Sequence, residues 1–241
     1  MIIMLKKGLS HIEVILAFVL FISAVTAMFL IFNPQPQKNS NNQQLNQIMQ
    51  KFERDATTNF VEFGVKINSI NSNNVSILIS NYSISGENAS SEDYAGNTLQ
   101  AYAQQQGSSY IVCIQGNPLP NFLYLLLSPD VNQNSESGTC SVAGNESNYQ
   151  IAGANSGTIL SEKKILELNS SYYSNYNELK KTIGIPDNEE FSFEVVFDNK
   201  NSIEGSNNIP QNVQVSALSN NIEVLRQNGD RQFAKIGVKI W

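Results

Sequence analysis

Apolar residues fall into three regimes along this chain. From Val14 to Phe32 they run almost without a break, nineteen residues interrupted only by Ser23 and Thr26. At about 1.5 Å rise per residue that helix is roughly 28 Å long, close to the ~30 Å hydrocarbon core, and it predicts a single transmembrane span. Asn33-Pro34-Gln35-Pro36 ends it, because proline lacks a backbone donor and restricts the residue before it. A polar linker runs to about Asn42. Leu45, Ile48, Met49, Phe52, Ala56, Phe60 and Phe63 then recur at three- and four-residue spacing, which predicts an amphipathic helix near 43–63, stopped by Gly64.

After Gly64 the period drops towards two. Val65–Ile70 and Val75–Tyr82 predict a hairpin around Asn71-Ser72-Asn73-Asn74. Ser85–Gly107 reads as loop with some helix. Tyr110–Gln115 and Phe122–Ser128 predict a second strand pair around Gly116-Asn117-Pro118, and Asn132–Gly157 reads as a loop. Ser161 reads as the cap of a helix with Ile165, Leu166 and Leu168 on its apolar face. A further helix near Tyr172–Ile183 ends at Gly184-Ile185-Pro186. Phe191–Phe197 alternates as a strand, and Val213–Leu218 and Ile222–Arg226 follow. Asn228-Gly229 then turns into Phe233–Trp241 to close a hairpin. The predicted fold class is α+β: an N-terminal transmembrane helix, then an amphipathic helix packed on an antiparallel β-sheet head domain.

Charge sharpens the reading of the first segment. Lys6 and Lys7 precede the apolar run and the next lysine is Lys38. The positive-inside rule then predicts a cytoplasmic N-terminus and an extracellular 33–241. Glu13 lies at the edge of the run, where an ionised carboxylate costs on the order of 3 kcal/mol. A cation ~4 Å away returns roughly 4 kcal/mol at an effective dielectric near 20, so a paired Glu13 is tolerable and an unpaired one is a liability. The α-amino group of Leu9 is such a cation if the chain is cut after Gly8. Within one chain the two sit about 6 Å apart along the helix, so an axially shifted neighbouring copy would supply the partner. Two other readings stand beside this one. The segment is an uncut signal anchor, with Glu13 reaching the headgroups, or a secretory signal cut after Ala27, which would leave Met28–Phe32 as a bare apolar tail.

Lys6-Lys7-Gly8-Leu9-Ser10-His11-Ile12-Glu13 and the following run resemble the type IV prepilin, or class III, signal. That family has a short basic leader, a glycine before the cut, an apolar helix and glutamate at mature position five; counting from Leu9, Glu13 is fifth. The resemblance implies cleavage between Gly8 and Leu9 by a prepilin peptidase, and assembly of the apolar helices, with other pilin-like subunits, into a filament core or pseudopilus. A pilus assembly platform and ATPase would act indirectly. The implied organisation is leader 1–8, transmembrane and filament-core helix 9–33, linker 34–42, and head 43–241. Leu9 replaces the phenylalanine common in bacterial members and His11 is unusual there, which points to an archaeal or divergent branch. The match covers about residues 6–32.

Composition bounds the remainder. A net charge of −6 with no basic stripe disfavours nucleic-acid binding. Asn-x-Ser sequons at Asn74, Asn81, Asn88, Asn145 and Asn169 are candidate glycosylation sites on surface loops, although a chain so rich in both residues produces several by chance. Cys113 and Cys140 are the only cysteines. In an exported domain they are expected to form a disulfide, with two reduced thiols as the alternative. The bridge would enclose 26 residues and add roughly 3–4 kcal/mol by the chain-entropy estimate. No nucleophile motif, phosphate loop or metal-ligand cluster is present in the sequence, and no cofactor is expected. Glu92-Asp93 and Asp187-Asn188-Glu189-Glu190 read as solvated loops, with a calcium site as the functional alternative. The expected function is therefore non-enzymatic: a pilin-like structural subunit, minor pilin or pseudopilin, of a surface filament. The alternative is an uncleaved, membrane-anchored surface binding or adhesion protein.

Overall fold

The structure, a computed structural model, describes residues 9–32, 40–68, 73–80, 88–132 and 148–241. Side chains of residues 9–12, 27, 29–32 and 40–41 lie outside that description. The chain divides into two compact units, 1–43 and 44–241.

The first unit carries helix α1 (Leu9–Phe32). Among the described residues no helix is long and apolar enough to cross a membrane. This corrects the expected single-span placement, with its lipid contacts, cytoplasmic N-terminus and extracellular domain, and the transmembrane part of the predicted fold class. The proline break at Pro34 and Pro36 lies outside the described residues.

Helix α2 (Ser40–Asp55) buries Leu45, Ile48, Met49 and Phe52, the stripe that the three- and four-residue spacing predicts. It stops at Asp55, and 57–63, expected to continue the helix, belongs to strand β1 (Thr57–Ile67). Phe60 and Phe63 mimic helical spacing because they serve opposite faces of that strand. Val61, Phe63, Val65 and Ile67 enter one core while Phe60 enters another.

The second unit is built on one mixed sheet of eleven strands, which replaces the smaller, wholly antiparallel sheet predicted. After β1 come β2 (Asn74–Ser80), β3 (Asn88–Asp93), β4 (Thr98–Gln106), β5 (Ser109–Gln115), β6 (Phe122–Ser128) and β7 (Tyr149–Ser161). Helices α3 (Glu162–Ser174) and α4 (Tyr176–Ile183) follow, then β8 (Phe191–Phe197), β9 (Ser202–Gly205), β10 (Ser216–Leu225) and β11 (Arg231–Ile240). The strand order is β2-β5-β4-β3-β6-β1-β7-β10-β11-β8-β9. Every neighbouring pair is antiparallel except β7 and β10, which run parallel and meet only at Leu160–Val224 and Ser161–Leu225.

Neither early hairpin forms as expected. β1 pairs with β6 and β7, β2 with β5, and β5 with β2 and β4. Two expected loops contain strands: β3 and β4 lie within 85–107, and β7 within 132–157 and beyond. Among the later elements, Tyr172 belongs to α3 rather than to the second helix, Val213–Leu218 and Ile222–Arg226 give way to the single strand β10, and β9 was not expected, but several local signals hold. Ser161 caps α3 by accepting from the Lys164 N–H, Gly184 ends α4 at φ 78°, and β10 and β11 pair across the Asn228-Gly229 turn. Leu166, expected on the apolar face of α3, is exposed, and Ile165 is the buried member.

Two large cores result. One packs α2, α3 and α4 on β8, β10 and β11, with Phe52 and Phe193 ring centroids 4.9 Å apart. The other is enclosed by β1–β6 and the start of β7. Gly205 on β9 admits two rings of the first core: an added Cβ would stand 2.5 Å from the Phe193 ring and 2.8 Å from the Tyr172 ring. Gly205→Ala is therefore expected to destabilise the protein by about 1–3 kcal/mol through overpacking, read as a lowered midpoint in urea unfolding with an unchanged m-value.

Candidate functional site

A polar concavity lies where the β10–β11 hairpin tip meets β1, β3 and β6. It has a volume of about 390 Å³ and is lined by Glu62, Ser90, Ser91, Glu92, Tyr124 and Asp230 to Gln232, among others. Strand register builds its floor. Glu62 and Ser90 each lie opposite Leu126, and Glu92 lies opposite Tyr124, so these side chains share the face away from the β1–β6 core. The hairpin closes one wall. Ser90 Oγ donates to the Asn228 carbonyl at 3.0 Å, and Arg231 pairs with Glu62 at 2.9 Å while its guanidinium lies 4.7 Å from the Phe60 ring centroid. Gly229, at φ 94°, permits this approach, since a Cβ there would come within 2.1 Å of Ser90 Oγ.

The cleft is electronegative. Glu62, Glu92 and Asp230 contribute three carboxylates, and Arg231 is the one cation in its lining. Burial raises the Glu92 carboxyl above its ordinary 4.5, and the charges of Asp230 and Glu62 push it the same way. Among the described residues no group of three His, Cys, Asp or Glu side chains is placed to hold a metal. The two serines are not poised as nucleophiles, since Ser90 donates to Asn228 and Ser91 to the Tyr124 carbonyl at 3.0 Å. The arrangement acts as a seam that fastens the C-terminal hairpin to the first half of the sheet. Sequence reading missed it because Glu62 and Arg231 carry no local signal of a pairing over so many residues.

The other acidic runs are absorbed by turns. Asp93 accepts from the backbone of Ala95 at 2.8 Å and Asn97 at 2.9 Å, and bonds with Asn97 hold its carboxyl below the usual range. Glu190 pairs with buried Lys180 at 3.2 Å and accepts from the Tyr176 hydroxyl, while Glu189 accepts from Gln44.

The residues singled out from sequence do not converge on this cleft. Lys6, Lys7 and Gly8 lie outside the described residues, and Leu9 opens α1. Glu13 is exposed on α1. From Val14 to Ile22 the large apolar side chains are 46–66% exposed, and Ser23 and Thr26 are exposed as well. The Ser23 hydroxyl donates to Leu20 O at 2.9 Å and that of Thr26 to Ile22 O at 2.7 Å. Of the sequons, Asn81 and Asn145 lie outside the described residues, and Asn74 is exposed at the start of β2. Asn88 spends its amide nitrogen on the Val131 carbonyl at 2.6 Å, and Asn169 sits inside α3 with Oδ1 buried, so neither occupies an open loop. Cys113 lies on β5 and is not a free thiol. Cys140 lies outside the described residues, so no disulfide joins two described cysteines, and the expected bridge is not part of the described structure.

No family model, curated protein or solved structure matches the chain.

The raised Glu92 carboxyl fixes a sign. The folded state holds that proton more tightly than the unfolded chain, so ionised Glu92 destabilises the fold above its folded pKa. The penalty fades as pH falls towards 4.5 and is gone below it. Glu92→Gln is expected to raise the urea midpoint at pH 7 and to leave it unchanged at pH 4; an equal gain at both values would assign the effect to something other than ionisation.

Proposed function

We propose that this chain is a pilin-like structural subunit of a type IV pilus-like filament, released from its leader between Gly8 and Leu9 and assembled through α1. One observation carries the reading. Behind the Lys-Lys-Gly leader stands a helix whose described side chains after Glu13 are apolar except Ser23 and Thr26 and exposed except half-buried Val25, with the two hydroxyls bonded back to the helix's own carbonyls. A helix of that kind is stable only where other apolar surface covers it. Further copies of the same helix provide that surface through close packing and dispersion. Glu13, exposed at the start of the stripe, then has a partner in the Leu9 amine of a shifted neighbour, and the pair sets the register. The peptidase that makes the cut and the subunits that pack on α1 are the partners this reading requires.

Co-production with an active prepilin peptidase tests it. Mass spectrometry is expected to show a mature chain beginning at Leu9, and Gly8→Leu is expected to leave the chain intact from Met1. Glu13→Gln is expected to lower the yield of shear-released filaments without lowering the amount of processed protein. An uncut chain beside a working peptidase would overturn the reading.

A further inference from the structure

A second concavity, of about 420 Å³, is cut across one end of strands β2, β5 and β4. Asn73, Asn74, Gln100, Gln115 and Asn117 line it with five amide side chains, and the Thr98 hydroxyl stands beside them. Register sets three of the amides in one row. Gln115, at the end of β5, lies opposite Asn74 on β2 and opposite Gln100 on β4. Neighbours in that row stand about 4.8 Å apart. The next residues along the three strands, Val75, Ile114 and Ala101, are buried in the core, so the amides point away from it and are exposed. The turns beside the strand ends are tied together, since the Gly116 N–H donates to the Asn73 carbonyl at 2.9 Å. The floor is closely packed: a Cβ at Gly116 would stand 3.1 Å from Leu119 Cδ2 and 3.5 Å from Leu99 Cδ2. Among the described residues none of the five amide side chains has a hydrogen-bond partner. Amides elsewhere in the unit are spent, Asn88 on the Val131 carbonyl at 2.6 Å, Asn97 on Asp93 at 2.8 Å and Asn132 on Gln227 at 2.9 Å.

We propose that this concavity is a binding site for a neutral sugar ring. Charge selects the class of ligand. No described lining residue ionises, so the site offers no counter-ion to a cation or an anion, and the chain's charge of −6 repels anions at longer range. The polar groups select hydroxyls. Each amide presents an acceptor and a two-proton donor on one plane, and each sugar hydroxyl both donates and accepts, so a row of amides matches adjacent hydroxyls without any change of protonation. Leu99, in the same lining, gives the C–H face of a ring an apolar patch to rest on. The volume falls within the roughly 300–1,000 Å³ of small-molecule sites. An extended peptide would pair along a sheet edge, whereas this concavity crosses the ends of three strands. Because the central row stands on strands, its backbone is ordered before the ligand arrives, and binding costs side-chain freedom alone. The site uses no residue of α1 and goes beyond the filament reading.

NMR titration of the full, nitrogen-labelled chain tests it, in a detergent without a sugar headgroup. Methyl glucoside, methyl mannoside, methyl galactoside and N-acetylglucosamine are the probes, with glycerol and acetyl-diglycine amide as controls. The side-chain amide signals lost in Gln100→Leu and in Gln115→Leu assign those two groups. At least one ring is expected to shift both, with a dissociation constant on the order of 1 mM, the range open to a ligand of so few atoms. Gln115→Leu is expected to weaken that binding at least tenfold, read from the Gln100 signal, while the urea midpoint stays unchanged because the side chain is exposed. Failure of every ring to shift either signal at ten times that concentration would overturn the proposal. So would equal shifts with glycerol, shifts confined to the peptide control, or undiminished binding by Gln115→Leu. A chain that is cut after Gly8 and forms filaments but binds no ring would sink this inference and leave the filament reading intact.

Discussion

The second unit depends on β1 being buried on one face from Val61 to Ile67 and on the other at Thr58 and Phe60, and paired on both edges. Its odd-numbered apolar residues, from Val61 to Ile67, face one core, and Phe60 faces another with Leu126, Ile159 and Leu225. Its edges are taken by β6 and β7. Ala56, wholly buried, is the single residue between α2 and β1, and its carbonyl accepts from the Ser161 N–H at 2.8 Å. The α2–β1 joint, the end of β7 and the start of α3 are thus fixed at one point. Each buried aliphatic or aromatic side chain contributes about 1.5–3 kcal/mol, so a strand with apolar residues on both faces concentrates much of the unit's stability.

From that point the sheet divides into two halves, and the links between them are specific and few. β7 and β10 share two residue pairs. Beyond these, Glu162 at the first turn of α3 binds Arg226 at 2.9 Å and accepts from the Gln227 N–H at the same distance. Its carboxylate satisfies both a guanidinium and a backbone donor at a helix N-terminus. The hairpin tip then reaches the first half through Ser90, Glu62 and Phe60. Glu92 stands beside that contact, and burial first, then the charges of Asp230 and Glu62, push its carboxyl up. The electronegative cleft is a consequence of joining two sheet halves through polar groups.

The legible parts of the fold were those set by local chemistry. The Ser161 cap, the Gly184 stop, the alternation of Phe191–Phe197 and the Asn228-Gly229 turn each act within a few residues, and each was readable. Pairing was not readable, because it joins segments far apart in the chain, as in β1 with β7. Phe60 and Phe63 read as helix since three-residue spacing is also what two faces of one strand produce. β4, rich in glutamine, and β7, rich in glycine, serine and asparagine, read as loops because their sheet positions rest on neighbours rather than on their own burial. The cleft had no signature for the same reason: Glu62 and Arg231 are brought together by topology alone.

α1 and the outer part of β7 are surfaces of different kinds. α1 offers apolar side chains, and its hydroxyls at Ser23 and Thr26 are bonded to its own carbonyls, so any contact there draws on dispersion and burial. Residues 150–158 of β7 are exposed and offer almost no apolar bulk, so any contact there draws on hydrogen bonds whose net worth is about 0.5–1.5 kcal/mol each. The first kind of contact is non-directional and scales with the area covered, and the second is weak and directional.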